Sequence, residues 1–552
     1  MIGYSAIRVD GMVGVDWQAL RSGVDRELRL LGVNAKWVPL QLAMKSAEQV
    51  DALISPFLGG VDPLFGTRFT GELSDFFDQA RLQSIPLDGS ELTVYYGAGA
   101  GLVECDGPLV FVDVPKNEIQ YRSRAGKFLN LGATRPSDKK SQYKRMYFVD
   151  WVAINKHVAE IADDIALFVD GSQTDSPVFM ERDTLCRALN DMSRSVFRVQ
   201  PWFEAGPWGG QWIKRQLGIG PADIANFAWS FEFIAPENGL KLSDGDATLE
   251  VAFDWLMARH SEEVLGECAK WFGREFPIRF DFLDTIEGGN LSLQCHPRPE
   301  YIREEFGEVF TQDETYYILD CEPEAVVYLG FHEDIDVYKF RSELERSAQD
   351  SSPVDVKAFV KALPARRHDL FLIPHGTVHC SGRGNMVLEI SATPYIFTFK
   401  MYDWLRADLD GKPRPLNIER AFRNLNFDRR GAEVKQSLVS RPVVIASGAD
   451  WSLQHLPTHE DHFYDIHRVE FDSSVDVWTE GSPHVLMLVE GTRVTIDVAG
   501  SQRTFNYAET FVVPAAAESY RLSNRGEGRA KVVKAFVKPS SRWPEWMHAS
   551  PK

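Results

Sequence analysis

The sequence predicts a mixed fold in three parts: an N-terminal α/β module over residues 1–200, an all-β barrel with helical insertions over 201–437, and a further β-rich part over 438–552. Three observations predict it. Short apolar runs alternate with helix-spaced segments before residue 200. An alternating apolar run around Gln294 and His296 places both side chains on one strand face, as a β-barrel aims ligands inward. From 438 onward strand-like runs dominate. A chain of 552 residues is also longer than one hydrophobic core serves.

In the first part, Leu92–Tyr96 and Leu109–Val114 are strand candidates, and 15–31 and 43–54 carry helical spacing. The turn Gly97-Ala98-Gly99-Ala100-Gly101 follows the first strand where a phosphate-cradling loop would sit, but it lacks the Gly-Lys-Ser/Thr ending of a P-loop. With the later basic stretch Asp138 to Arg145, this order faintly resembles a degenerate nucleotide-kinase-like domain. A Gly cluster after a strand is more often just a tight turn.

A Trp-rich junction, Pro201 to Trp212, opens the second part, and its Trp residues suit a buried seal. Residues 228–234 alternate as a strand. The spacing of Leu249, Phe253, Leu256, Val264, Leu265, Cys268, Trp271 and Phe272 predicts helix from about 246 to 273. A second helical stretch runs from Asp336 to Leu363, with Pro353 expected to start a new helix. Gln294 and His296, joined by Glu314 before another strand run and by His379 after a Pro/Gly turn, would give two imidazoles, a carboxylate and an amide oxygen. That set suits Zn²⁺ or a similar divalent ion.

Five stretches then carry a family resemblance: Leu291 to Pro297, Glu314 to Leu319, Ile373 to His379, Val387 to Ile390, and Tyr402 to Trp404. In this order they resemble the type I phosphomannose isomerases of the cupin superfamily, over about residues 200–540. The resemblance implies a jelly-roll (cupin) metal barrel, a metal set of Gln294, His296, Glu314 and His379, and interconversion of mannose 6-phosphate and fructose 6-phosphate through a cis-enediol. The cofactor would be Zn²⁺, Mn²⁺ or Co²⁺. Trp229 would line the substrate side, and Glu389 matches a family glutamate near the sugar.

Two positions depart from the family. Asp281 stands where the family places a lysine, and Lys400 where it places an arginine two residues before Tyr402. Lysine is a point charge without the bidentate fork of arginine, and Asp281 reverses a charge, so Arg298, Lys400 or Arg406 must compensate at a phosphate. Glu389 and Asp281 are the candidate proton-transfer groups, and Lys400 stabilises charge. The alternatives are a cupin isomerase or epimerase acting on a less anionic sugar, which Asp281 favours, and a non-catalytic sugar- or nucleotide-binding protein sensing through the Gly97 turn.

In the last part, 484–491 and 511–519 are strand runs of a second cupin-like barrel. Ser519 stands where a metal histidine would follow the turn, so this barrel is expected to be metal-free. His455, His459, His462 and His467 precede it and invite a metal reading, set against Pro457, Glu460 and Asp461, which suit a surface connection.

Composition excludes some classes. The net charge of −19 opposes a nucleic-acid surface and means that a sugar phosphate needs local cations. No run reaches the roughly 18 apolar residues of a membrane span, and Met1 to Ser5 lacks a signal layout, so a cytoplasmic, membrane-independent protein is expected. The six cysteines include no CxxC and read as reduced thiols.

Overall fold

The computed structural model describes residues 4–85, 92–173, 177–220 and 223–548, so Met1 to Gly3 of the N-terminal stretch lie outside the described residues. The chain divides into two compact units, Met1–Asp191 with Pro236–Arg259, and Met192–Ala235 with His260–Lys552.

The first unit holds a six-stranded sheet built from β1 (Ala6–Gly11), β2 (Ala35–Pro39), β3 (Leu92–Tyr96), β4 (Leu109–Asp113), β5 (Ile165–Asp170) and β6 (Phe179–Glu181), in the order β2-β3-β1-β4-β5-β6. Neighbours from β2 to β5 run parallel and β6 is antiparallel. β4, Leu-Val-Phe-Val-Asp, is buried throughout, as a central parallel strand covered on both faces must be. The expected helices form as Trp17–Leu30, capped by Asp16, and Ala47–Ile54, opened by a Ser46/Gln49 capping box.

The Gly97 turn follows β3 as expected. Gly97 and Gly99 take φ of 121° and 92°, which glycine alone adopts without strain. Its amides face a carboxylate of the same chain: Gly99 N and Gly101 N donate to Asp10 at 2.8 and 2.7 Å, and His157 Nε2 lies 2.8 Å from it.

The excursion Pro236–Arg259 is a hairpin, Gly239–Ser243 paired with Thr248–Ala252, followed by a helix from Asp254. Leu249, expected in a helix, therefore lies on a strand. Thr-Leu-Glu-Val-Ala alternates with period two and buries Leu249 and Val251, and a helical spacing read across a strand–helix junction absorbs it by coincidence.

In the second unit, one sheet orders Leu370–Ile373, Glu314–Cys321, Asn385–Ala392, Ile278–Asp284, Trp229–Phe233 and Trp202–Glu204. A second orders Val360–Pro364, Val326–Phe331, His379–Ser381, Leu293–Cys295 and Phe399–Tyr402. All these pairings are antiparallel. The helix Val337–Asp350 forms, but Pro353 is followed by a single 3₁₀ turn, Val356–Ala358, and not by a second α-helix. Ser351 ends the helix in the left-handed region, and Val360–Pro364 joins the second sheet as an edge strand, where its terminal proline withholds no needed donor. The Trp junction packs inside this unit: Trp202 stacks on Phe231 at 3.9 Å, and Trp208 meets Trp229 edge-on at 4.7 Å.

Two further sheets complete the unit, one of six strands between Val443 and Val537 and one of four between Ser474 and Asn524. Val469, Phe471, Leu486, Leu488, Val494, Ile496 and Leu522 share their core.

Candidate metal centre

Strand register brings the expected donors together. Gln294 pairs with His379 on one side and Lys400 on the other, and cross-strand partners share a face, so all three point inward from the second sheet. From the first sheet, Tyr316 pairs with Glu389 and Glu389 with Asp281, which sets Glu314, Glu389, Asp281 and Arg279 on one face by the two-residue period.

His296, Glu314 and His379 are buried, with one donor atom of each within 4.8 Å of the others. His296 Nε2 lies 2.9 Å and His379 Nε2 3.3 Å from the Glu314 carboxylate. The far ring nitrogens are anchored to backbone carbonyls, His296 Nδ1 to Phe397 O at 3.1 Å and His379 Nδ1 to Thr377 O at 2.9 Å. Donation through Nδ1 leaves each Nε2 lone pair facing the centre, as a carbonyl bonded to the far nitrogen does for metal-binding imidazoles. His296 Nε2 and Glu314 Oε2 have no aligned hydrogen-bond partner despite full burial. Orphaned buried acceptors of this kind are costly unless something else satisfies them, and a divalent cation fits both. Burial opposes ionisation of Glu314, but His296 and His379 hold its carboxyl well below the usual range. Burial also lowers His379, favouring the neutral imidazole that a metal needs. Gln294 completes the expected set, its Nε2 lying 3.3 Å from His379 Nε2.

The residue that sequence reasoning missed is Arg279. Its guanidinium, 3% exposed, donates to Asp281 at 3.1 and 3.2 Å, to Glu314 at 3.3 Å and to Glu389. The cation lost where the family has lysine thus reappears two residues earlier on the same strand face. Arg279-x-Asp281 on a fully buried strand carries the same alternation signal as Gln294-x-His296. Burial raises two of the three carboxyls that lean on Arg279, Asp281 to about 7 and Glu389 well above its ordinary value, despite the guanidinium. Gln312 Nε2 supports Glu314 at 2.7 Å, and Ser391 Oγ supports Glu389 at 2.8 Å.

The other expected residues sit elsewhere. Trp229 packs against Trp208. Arg298 donates to the Asn424 and Leu425 carbonyls, both at 2.8 Å. Arg406 pairs with Asp403 at 2.7 Å and reaches Asn290 O at 2.5 Å. The structure does not join these three to the donor set. Of the later histidines, His455 and His467 come together with Asp465, whereas His459 leans on Asp461 and His462 stacks on Tyr464.

Fold and centre together define a cupin-type barrel protein with a site suited to a metal. The comparisons with known proteins agree. The chain is 26% identical to a mannose-6-phosphate isomerase of Streptococcus mutans over 319 residues, 57% of this chain and 91% of that protein. It is 28% identical over 232 residues to a mannose-6-phosphate isomerase of Bacillus subtilis, 42% of this chain and 68% of that one. The crystal structure of the mannose 6-phosphate isomerase from Bacillus subtilis superposes with a TM-score of 0.50 at 17% identity, covering 62% of this chain and 99% of that one, a likeness of fold. The chain is thus similar to mannose-6-phosphate isomerases over 42–57% of its length, as its motifs implied. Residues 2–194 match a family described as Domain of unknown function (DUF8485). No helix among the described residues is long and apolar enough to cross a membrane.

Proposed function

We propose that this chain is a metal-dependent aldose–ketose isomerase interconverting mannose 6-phosphate and fructose 6-phosphate, with Zn²⁺, Mn²⁺ or Co²⁺ held by His296, Glu314, His379 and Gln294. The observation that carries the reading is the buried convergence of two inward-facing imidazoles on an ionised carboxylate. A divalent ion there supplies Lewis-acid stabilisation of negative charge on the sugar oxygens. For Gln294 to act as a donor, its amide turns so that the oxygen faces His379.

Asp281 and Glu389 are the groups we assign to proton transfer between C1 and C2. Both are buried carboxyls raised toward neutrality, and both are oriented by Arg279, which is what a group that takes and returns a carbon-bound proton requires. Lys400, in register with Gln294, stabilises the enediolate. Trp229, Arg298 and Arg406 remain our candidates for holding the rest of the sugar phosphate, and Arg298 and Arg406 reach it by exchanging their carbonyl partners. In this reading residues 1–200 are an α/β module that the hairpin segment 236–259 joins, the rest of 201–437 is the catalytic barrel and 438–552 a second cupin-like part. A cytoplasmic location accords with the substrate.

The similarity to mannose-6-phosphate isomerases supports the substrate. Turnover of mannose 6-phosphate by protein loaded with each metal, with loading measured, tests the reading; a fully loaded protein that converts nothing overturns it. A second reading, isomerisation or epimerisation of an uncharged sugar, is favoured by the engagement of the Arg279 guanidinium with Asp281, Glu314 and Glu389, which commits the cation of this strand to acids of the chain rather than to a phosphate. Comparing free mannose and fructose with their phosphates separates the two.

A further inference from the structure

The interior of the C-terminal β-part is apolar at one end and polar at the other along the same strand faces. Val469 and Phe471 on Tyr464–Phe471, Leu486 and Leu488 on His484–Glu490 and Val532 on Ala530–Val537 belong to its core. By the two-residue period, Asp465, His467, His484 and Lys534 continue those same faces. Antiparallel register sets His455 opposite His467 and His467 opposite Lys534.

Three of these side chains converge. His455 Nε2 lies 3.0 and 2.9 Å from the two oxygens of Asp465. The imidazoles of His455 and His467 are 5.2 Å apart, and one donor atom of each of the three residues falls within 4.8 Å of the others. Asp465 is buried, and His467 Nδ1 is buried with no hydrogen-bond partner.

We propose that His455, Asp465 and His467 form a second divalent transition-metal site, separate from His296, Glu314 and His379. The donor chemistry is the same, two imidazoles and one carboxylate, which selects Zn²⁺ or Co²⁺ over the oxygen-seeking Mg²⁺ and Ca²⁺. A guanidinium faces this carboxylate too, here from an arginine whose side chain is 55% exposed. Arg542 lies 3.2 Å from Asp465 as Arg279 lies 3.3 Å from Glu314, and Ile466 N adds a bond at 3.1 Å. The His455 side chain is 23% exposed, which gives an ion an entry path. The expectation of a metal-free barrel came from Ser519, after the turn at Pro514; these donors arise on two other strands, Trp451–Leu456 and Tyr464–Phe471. Lys534, its ammonium 5.0 Å over the Phe536 ring, and Arg542 add positive charge nearby, so this site binds more weakly than the first.

Metal counting tests the assignment without reliance on turnover. The full chain, His379→Ala, His467→Ala and the double variant are stripped with a chelator and equilibrated by dialysis against Zn²⁺, and bound metal is counted per chain. The wild type holds two ions, each single variant one and the double variant none, with His467→Ala keeping its sugar isomerase turnover. A His379→Ala protein that retains no Zn²⁺ overturns the second site, and so does His467→Ala binding as much as wild type. Failure of the first centre is read separately, as a His379→Ala chain whose zinc count does not fall. If His467→Ala does not fold, as judged by circular dichroism, the near-isosteric Asp465→Asn takes its place; it removes the second ion or overturns the assignment.

Discussion

Arg279 donates to both carboxylate oxygens of Asp281, at 3.1 and 3.2 Å, from two residues away on one strand face. The same guanidinium reaches Glu314 and Glu389, so one buried cation holds three buried acids. Replacing it with methionine of similar length leaves those acids facing each other. Removing one partner of a buried ionic network costs about 3–5 kcal/mol, so Arg279→Met is expected to lower the urea midpoint strongly. Arg279→Lys, which keeps the charge and loses the fork, falls between the two. If the methionine variant unfolds at the same urea concentration as wild type, Arg279 does not organise this face.

Metal removal is the second prediction. A ligand that binds only the folded state adds about 2.7 kcal/mol when present at one hundred times its dissociation constant. Wild type is therefore expected to melt at lower temperature after chelation and to recover with added Zn²⁺. In His379→Ala, which lacks one of the two inward imidazoles, the response to Zn²⁺ is smaller and isomerase turnover is lost. Differential scanning calorimetry with and without chelator checks the first part. Activity surviving in His379→Ala places the chemistry elsewhere.

Much of this centre was legible in the sequence because strand alternation and motif order are local signals. Gln294 and His296, two apart, had to share a face, and Glu314 and His379 followed in order. Arg279 obeys the same rule, but it stands two residues before Asp281, the position aligned with the family lysine, so the motif itself does not point to it. Leu249 was misplaced because a few apolar residues satisfy helix and strand periods equally near a junction. What no local pattern carried was pairing across distance. That Asp10 occupies the Gly97 turn, 89 residues away from Gly99 in sequence, and that His455 meets His467 across two strands, are products of tertiary register.

The first unit carries a pH dependence of its own. Asp113, at the end of β4, is buried with one oxygen unpartnered, while the other accepts from Ala252 N at 2.7 Å and Trp255 Nε1 at 3.0 Å. Burial, with Asp254 and Asp170 nearby, raises its carboxyl to about 7; burial likewise raises Glu250 to about 7. A folded value above the unfolded one, about 3.9 for Asp, means that the group favours folding fully below the unfolded value and loses that contribution as pH climbs through 7. Asp113→Asn, neutral at every pH, is expected to match wild type near pH 4 and to exceed it in stability at pH 8. Melting curves of both proteins across that range decide it; a constant difference between them removes Asp113 as the titrating group.

The turn that invited a nucleotide reading is held closed by the chain itself. Gly99 N and Gly101 N both donate to Asp10, which is 1% exposed and also meets His157 at 2.8 Å. A phosphate entering the turn would have to displace a carboxylate that already has four partners, the amides of Gly11, Gly99 and Gly101 and the His157 imidazole, at the cost of burying it unpaired. Thermal shift with ATP, GTP or inorganic phosphate is therefore expected to leave the wild-type melting temperature unchanged. Asp10→Ala strands the amides of Gly11, Gly99 and Gly101 and an imidazole, and each unsatisfied buried group costs about 1–3 kcal/mol, so this variant melts well below wild type. In the same variant the opened amides face a vacated anion position, and added phosphate recovers part of the lost stability. A wild-type protein stabilised by millimolar phosphate, with Asp10→Ala no more responsive, would mean that the anion binds away from this turn.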